Sequence, residues 1–488
     1  MSVAADRYAR FLERAPEYAE TSALDDLRRR EFSRLDRDGG VYLDSTGGSL
    51  YGESQVRRHA ELLLGKVLGN PHSFNPASAA ATELVERCRH RVLDYFDAPL
   101  DEYVAIFTAN ASQALKLVGE SYPFESGDRF LLTFDNHNSV NGIREFDRAH
   151  GAETTYVPVI PPELRGDEAT LLRELDRVRP GRNHLFAFPA QSNFSGVRHP
   201  LDWIDRAHER GWDVLLDAAA YVPTRRLDLG RHKPDFVALS FYKMFGYPTG
   251  LGALIARRAA LARLHRPWFA GGTIEVASVQ ADRHALAEGA AAFEDGTVDY
   301  TNIPAVEIGL EMLESVGVET IGRRVGALTG WLIDELLALR HATGRPLVAL
   351  YGPASTVDRG GTVTLNFFDP EGRFVDHAAI ETLAAARRIS IRTGCFCNPG
   401  AGELALGIGR DEIATCFVRT AGHLTYESFR RCIDGKSTGA VRISIGWSTN
   451  FADVESFLAF ARDLVDRPAA DLAREAADGA PVTRQSGA

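Results

Sequence analysis

A lysine set among aromatic residues, a carboxylate that ends an apolar run and two thiols one residue apart are the parts of this chain best suited to covalent chemistry. Lys243 lies in SFYKMFGYPTGLGAL, between Phe241, Tyr242, Met244 and Phe245. Apolar surroundings lower the pKa of a lysine, and the freed amine becomes a nucleophile or a trap for carbonyl groups. Asp217 closes VLLD, where a carboxylate either caps the next turn or faces a ligand. His137 follows RFLLTF, Gln191, Ser192 and Asn193 follow HLFAFP, and Asn110, Ala111 and Ser112 follow YVAIFT. The last triplet reads as a helix start, whose N–H groups serve ordinary capping or bind an anion. Taken singly, each of these features is common and weak.

Their placement is what joins them. From Tyr103 to Ile255, short apolar runs (103–108, 129–134, 153–159, 184–189, 213–217, 235–240 and 252–255) alternate with amphipathic stretches. This predicts an α/β fold with a mostly parallel seven-stranded sheet covered on both faces. Ligands in such sheets bind beyond the carboxyl ends of the strands, and every residue named above falls on that edge. An amine, a carboxylate, an imidazole and helix-terminal N–H groups in one place match the needs of pyridoxal 5'-phosphate. The lysine captures its aldehyde, the carboxylate keeps its ring nitrogen protonated and the helix terminus holds its phosphate.

The chain has 488 residues and a formal charge of −11. A single core rarely grows past ~250–300 residues, so two packed domains are expected. The boundaries read as an N-terminal helical segment over 1–40, a large domain over 41–303, a smaller C-terminal α/β domain over 304–466 and a disordered tail over 467–488. The acidic balance argues against nucleic acid as a partner, and no apolar run is long enough for a membrane helix. The charged N-terminus lacks the features of a secretory or transit signal, which gives a cytoplasmic expectation.

The chain resembles the class V aminotransferase and cysteine desulfurase family of fold-type I pyridoxal-phosphate enzymes. Within it, similarity is strongest to the N-terminal desulfurase domain of molybdenum cofactor sulfurases. YLDSTGG (42–48), FTANASQALK (107–116), QSNFSG (191–196), SFYKMFGYPTGLGAL (240–254), RTGCFCNPGA (392–401) and STGAVRISIGW (437–447) carry the likeness. The resemblance implies Lys243 as the Schiff-base lysine, Asp217 against the pyridinium nitrogen, His137 stacked on the ring and Asn193 near the ring hydroxyl and the substrate. It implies Ser240, Tyr242, Ala111 and Ser112 around the phosphate, and Arg442 on the substrate carboxylate. Gly272 and Thr273 would complete the phosphate site of a neighbouring subunit, which implies a homodimer with a shared active site.

Five cysteines are too few for a disulfide framework. In RTGCFCNPG the family pattern Arg-Thr-Gly-x-x-Cys maps the persulfide-forming thiol to Cys397, with Arg392 nearby to favour the thiolate; Cys395 has no assigned role. Cys88, Cys416 and Cys432 read as buried structural residues. The expected function is an L-cysteine desulfurase that releases alanine and passes sulfur to a separate acceptor protein. An aminotransferase or C–S lyase acting on another amino acid is the first alternative. The second is a non-catalytic scaffold in which zinc holds the C-terminal cysteines, a poor fit to zinc ligand spacing.

Overall fold

The computed structural model describes residues 3–419 and 439–479. Seven strands form the large sheet: β1 (Tyr103–Thr108), β2 (Arg129–Thr133), β3 (Glu153–Val157), β4 (His184–Pro189), β5 (Asp213–Asp217), β6 (Phe236–Ser240) and β7 (Gly252–Arg257). Their spatial order is β1-β7-β6-β5-β4-β2-β3. Only β7 runs antiparallel to its neighbours. The strands read as continuous apolar runs because both sheet faces are covered. Alternate residues divide between two cores, with Phe107, Leu131, Phe186, Leu216 and Leu239 on one face and Ile106, Leu132, Leu185, Leu215 and Ala238 on the other.

Two predicted elements differ in detail. The run 153–159 stops as a sheet strand at Val157, and Val159–Ile160 instead pairs with Arg165–Gly166. Pro158 between them has no N–H to give to a ladder. The amphipathic stretch between β2 and β3 forms not one helix but two short ones, Asn138–Asn141 and Arg144–Ala149, interrupted at Gly142.

After a helix over Pro304–Val316 and another over Val318–Ala338, a second sheet forms. Its strands are β8 (Val348–Tyr351), β9 (Thr362–Phe367), β10 (Arg392–Gly394) and β11 (Ala440–Ser444), in the order β8-β9-β11-β10. The N-terminal helices fold back on this half of the chain. Arg28 is buried and bonds Asp453 at 3.0 Å, and Arg324 bonds Asp25 at 2.6 and 2.7 Å.

The expectation of disorder from residue 467 onward needs correction. Ala469–Gly479 forms a helix packed on the helix His377–Ala386, with Leu472 and Ala476 buried. An Ala-rich stretch carries good helix propensity but becomes stable only through such packing, which composition does not reveal. Residues 480–488 lie outside the described residues. Among the described residues, no helix is long and apolar enough to cross a membrane.

Candidate active site

Lys243 is placed by a short helix, Phe241–Phe245, directly after β6. Phe241, Met244 and Phe245 are buried and fix this turn. Phe245 lies against Gly309 of the helix over 304–316, where any side chain would collide with its ring. Gly246 ends the helix in the left-handed region, φ 82°, against the backbone of Leu50 and Tyr51. Ser49 secures the other side, its Oγ donating to the Lys243 carbonyl at 2.7 Å. Lys243 lines a narrow cleft together with Ser45, Gln191, Ala220, Thr224, Thr362 and Trp447. Burial holds the Lys243 ammonium below its ordinary value, opposed first by the Asp217 carboxylate and less by the Cys397 thiol.

Asp217 ends β5, and its Oδ1 accepts from the Ala219 N–H at 3.0 Å. Its field reaches Lys243, His137 and Tyr242 alike. His137 caps the helix Asn138–Asn141, its Nδ1 accepting from the Ser139 N–H at 3.1 Å. Burial and the Lys243 and Arg442 cations push its imidazole toward the neutral form, against the pull of Asp217. Ser139 Oγ lies 3.0 Å from His137 Nδ1 and 2.6 Å from Ser112 Oγ. This hydroxyl pair connects the imidazole to the start of the helix Ala111–Ser121. At that start, the Ala111 N–H donates to Ser240 Oγ at 2.9 Å. The Tyr242 phenol is half-buried and shifted upward by burial.

One consequence has a definite sign. Because Asp217 stabilises the Lys243 ammonium, Asp217→Asn lowers the pH at which the amine becomes free. Labelling of Lys243 by trinitrobenzenesulfonate in the cofactor-free chain, read by peptide mass spectrometry, is expected to begin at lower pH in the variant. A shift to higher pH contradicts this coupling.

Arg442, on β11, is 2 % exposed. It donates to Asp44 Oδ1 at 3.0 Å and to the Asn193 carbonyl at 3.2 Å, while its Nε has no partner. Arg392 faces it across the β10–β11 ladder and binds the same Asp44 at 2.6 Å. Asp44 thus bridges two arginines, and it is a site residue that sequence reasoning did not single out. Its only signal was an acid after the short strand at Val41–Tyr42, just ahead of Gly47 and Gly48. The arrangement also alters the expected role of Arg392, whose charge is shared with Asp44 before it reaches the thiols.

The cysteine loop is a tight turn. The Asn398 N–H donates to the Cys395 carbonyl at 3.0 Å, and the two central residues, Phe396 and Cys397, have φ of 57° and 54°. These angles are those of a type I′ turn, which side chains other than Gly and Asn seldom adopt. Each such residue costs ~1–2 kcal/mol, so surrounding contacts must hold the turn. Phe396 is buried beside Phe194, with the Arg442 guanidinium 4.7 Å from its ring centroid. The Asn138 N–H donates to the Cys397 carbonyl at 2.7 Å. Asn193 Nδ2 donates to the Phe396 carbonyl at 2.7 Å. Asn398, fully buried, donates to Asn193 Oδ1 at 2.9 Å and to the Asp135 carbonyl at 2.6 Å. The side chain of Asn193, expected at a ring, is therefore occupied in clamping this turn. The anchors leave Cys395 and Cys397 exposed and free.

Asn398→Ala strands two acceptors, one of them buried, at roughly 1–3 kcal/mol each. A lower melting temperature and faster proteolytic cleavage near residues 395–400 are expected, and an unchanged cleavage rate contradicts the clamp.

Gly272 and Thr273 are not brought to the Lys243 cleft of their own chain. Gly272 abuts Gly296 and His72, and Thr273 is buried in a local turn with Ala270. Cys88 is a buried free thiol, and burial pushes it up to about 12. Cys416 is buried but disulfide-bonded, not a free core thiol, and Cys432 lies outside the described residues. Among the described residues, no group of three or more His, Cys, Asp or Glu side chains is arranged to hold a metal.

Comparison with known proteins agrees with this geometry. The aminotransferase class-V family model matches residues 41–457. Molybdenum cofactor sulfurases of Homo sapiens and Arabidopsis thaliana are 38% and 37% identical, each over 90% of this chain but over only 51% and 57% of their own length. The chain thus spans about half the length of these curated relatives. Among solved structures, a cysteine desulfurase from Thermococcus onnurineus NA1 superposes with a TM-score of 0.73 at 24% identity, covering 90% of this chain and 98% of that one. A cysteine desulfurase from Escherichia coli gives 0.69 at 21% identity, with 93% and 98% covered. These likenesses establish the shared fold. By its sheet topology, its strand-end residues and the family match, the chain belongs to the aminotransferase class-V family.

Proposed function

We propose that the protein is a pyridoxal-phosphate-dependent L-cysteine desulfurase of the molybdenum cofactor sulfurase type, which carries sulfur as a persulfide on Cys397. The observation that carries this reading is the convergence of a half-buried lysine and an exposed thiol on one sheet edge. Lys243 lines the cleft after its strand, and the Cys397 turn is tied to the same edge by the Asn138 N–H, which donates to the Cys397 carbonyl at 2.7 Å beside His137.

The donor set fits the cofactor. The Lys243 amine would bind its aldehyde, Asp217 would face the ring nitrogen and His137 would cover the ring. The helix start at Ala111–Ser112, with Ser240 and Tyr242, would receive the phosphate. When bound, pyridoxal 5'-phosphate supplies an electron sink that labilises the Cα–H and then the C–S bond of the amino acid. The protein residues do the rest. Lys243, favoured as the free amine by burial, takes and returns the Cα proton. His137, held toward its neutral form by burial, can relay a proton with Ser139 and Ser112. Arg442 has a buried Nε–H free for a substrate carboxylate, whose grip would compete with Asp44. The Cys397 sulfur gives up its proton and attacks the substrate sulfur; an S–S bond forms, the C–S bond breaks with its electron pair left on the carbon side, and a proton taken up at Cβ completes alanine.

A homodimer in the cytoplasm is part of the same proposal. Leu64, Val67, Phe74 and Val279 are all more than four-fifths exposed, an unusual number of bare apolar side chains for a monomer. They lie in two segments, one of them the hairpin that follows Gly272 and Thr273. The sulfur acceptor is proposed to be a separate protein.

The test is incubation of the holoenzyme with L-cysteine. Equal formation of alanine and of persulfide on the peptide holding Cys395 and Cys397 is expected. Keto-acid formation without persulfide would instead indicate an aminotransferase or lyase.

A further inference from the structure

Two buried polar groups beside the cysteine turn have no part in the chemistry above. Asp135, two residues before His137, is fully buried, and His199 is 3 % exposed. His199 Nε2 donates to Asp135 Oδ2 at 2.9 Å, while Asp135 Oδ1 has no partner among the described residues. The His199 ring is stacked on Trp203, with the centroids 5.1 Å apart, which fixes its plane. Such a pair gains little stability over apolar residues of the same volume, because both groups must be taken out of water. What it does supply is a directional bond of fixed length between two segments.

Those segments are the two loops that hold the cysteine turn. Asp135 follows β2 and leads into His137 and Asn138. His199 follows β4, where its N–H donates to the Ala190 carbonyl at 3.2 Å across the base of the loop that presents Asn193. Asn398 donates to the Asp135 carbonyl and to Asn193 Oδ1, and Asn193 donates to the Phe396 carbonyl. The Asn138 N–H holds the Cys397 carbonyl from the β2 side. The helix after the turn, Pro399–Ala405, lies directly on the β2 loop, since a side chain at Gly400 would collide with the Phe134 carbonyl. These contacts close a ring that runs from Asp135 to His199, along the backbone to Asn193, across to Asn398 and back to Asp135. Within that ring, the His199–Asp135 bond alone joins the two loops without passing through the turn.

We propose that Asp135 and His199 are positioning residues, which set the spacing of the β2 and β4 loops and so hold Cys397 in register with His137. They act through Asn398 and Asn138, not on the reacting atoms. The kinetic consequence rests on the desulfurase reading, whereas the structural one rests on the hydrogen-bond ring alone.

The double variant Asp135→Leu, His199→Leu removes the bond without leaving a buried carboxyl group by itself, so it is expected to fold. Amide hydrogen exchange of the holoenzyme, read by mass spectrometry, is expected to quicken about tenfold in the peptides over 134–142 and 393–401 together, and to stay unchanged over 213–217. With L-cysteine, kcat for persulfide formation should fall about ten- to a hundredfold, as for a reacting group displaced by roughly 1 Å, while KM changes by less than about threefold. His199→Gln, whose amide can still donate to Asp135, is expected to recover most of both losses. Wild-type exchange and kinetics in the folded double variant overturn the proposal, and so does faster exchange in one of the two peptides without the other. If the double variant does not fold, Asp135→Asn decides, since it keeps the volume and weakens the bond; wild-type exchange in both peptides then overturns the proposal. If wild type forms no persulfide from L-cysteine, the desulfurase reading fails and the exchange result decides on the pair.

Discussion

Replacing Lys243 by alanine is expected to lower L-cysteine turnover by at least about 10³-fold, in line with the loss of a positioned base and nucleophile. The covalent link to the cofactor should disappear too, so that borohydride leaves no added mass on the peptide over 241–245. The fold should survive. Phe241, Met244 and Phe245 hold the helix, and among the described residues the lysine amine makes no protein hydrogen bond that truncation would break. Stability is a second readout with a definite sign. Burial depresses the Lys243 pKa below its ordinary 10.5, so at neutral pH the unfolded chain binds a proton that the folded chain binds less tightly. The wild-type residue therefore costs stability at neutral pH, and the cost fades as pH rises toward the ordinary lysine value. Lys243→Ala should melt at the same or a higher temperature than wild type near pH 7, with the difference shrinking in alkali. Full turnover by a folded variant removes Lys243 from the mechanism.

The second large effect concerns Cys397→Ser. The replacement is close in size and keeps the left-handed backbone position, whose strain is borne by Phe396, Asn398, Asn193 and Asn138. The turn should persist, yet a hydroxyl cannot hold sulfane sulfur. Persulfide on the 393–410 peptide, present after wild type is incubated with L-cysteine, should be absent from this variant and retained in Cys395→Ser. Persulfide on Cys395 in the Cys397→Ser chain would reassign the carrier. Both thiols are exposed, and what separates them is the turn. Cys395 only lends its carbonyl to close it, whereas Cys397 sits at its strained centre and is tied by its own carbonyl to Asn138, beside His137.

Much of this was legible in the residues. The strands of the large sheet are short, apolar and bounded by polar turns, so their period and spacing predict them closely. The residues at their carboxyl ends must then share an edge whatever the loops do. Lys243, Asp217, His137 and Ser240 come together for that reason. The residues that escaped notice are those whose partners are far away in sequence. Asp44 meets Arg392 and Arg442 nearly 350 and 400 residues later. Asn398 is an unremarked amide in sequence, and its role depends on Asn193 and the Asp135 carbonyl. The C-terminal helix was misread because one leucine in an alanine-rich stretch looks like a polar tail until the groove that receives it is known.

Local pattern thus determined the parallel sheet, the reactive edge and the nature of its chemical groups, because strand and turn preferences act over a few residues. The tertiary structure decided how those groups are employed. It placed the Asn193 side chain as a clamp on the cysteine turn, shared one carboxylate between two arginines, and left the Thr224 hydroxyl without a partner among the described residues. Each of these outcomes follows from the cost of burying a charge or a polar atom. That cost is set by which side chains meet across the fold, and spacing along the chain does not contain it.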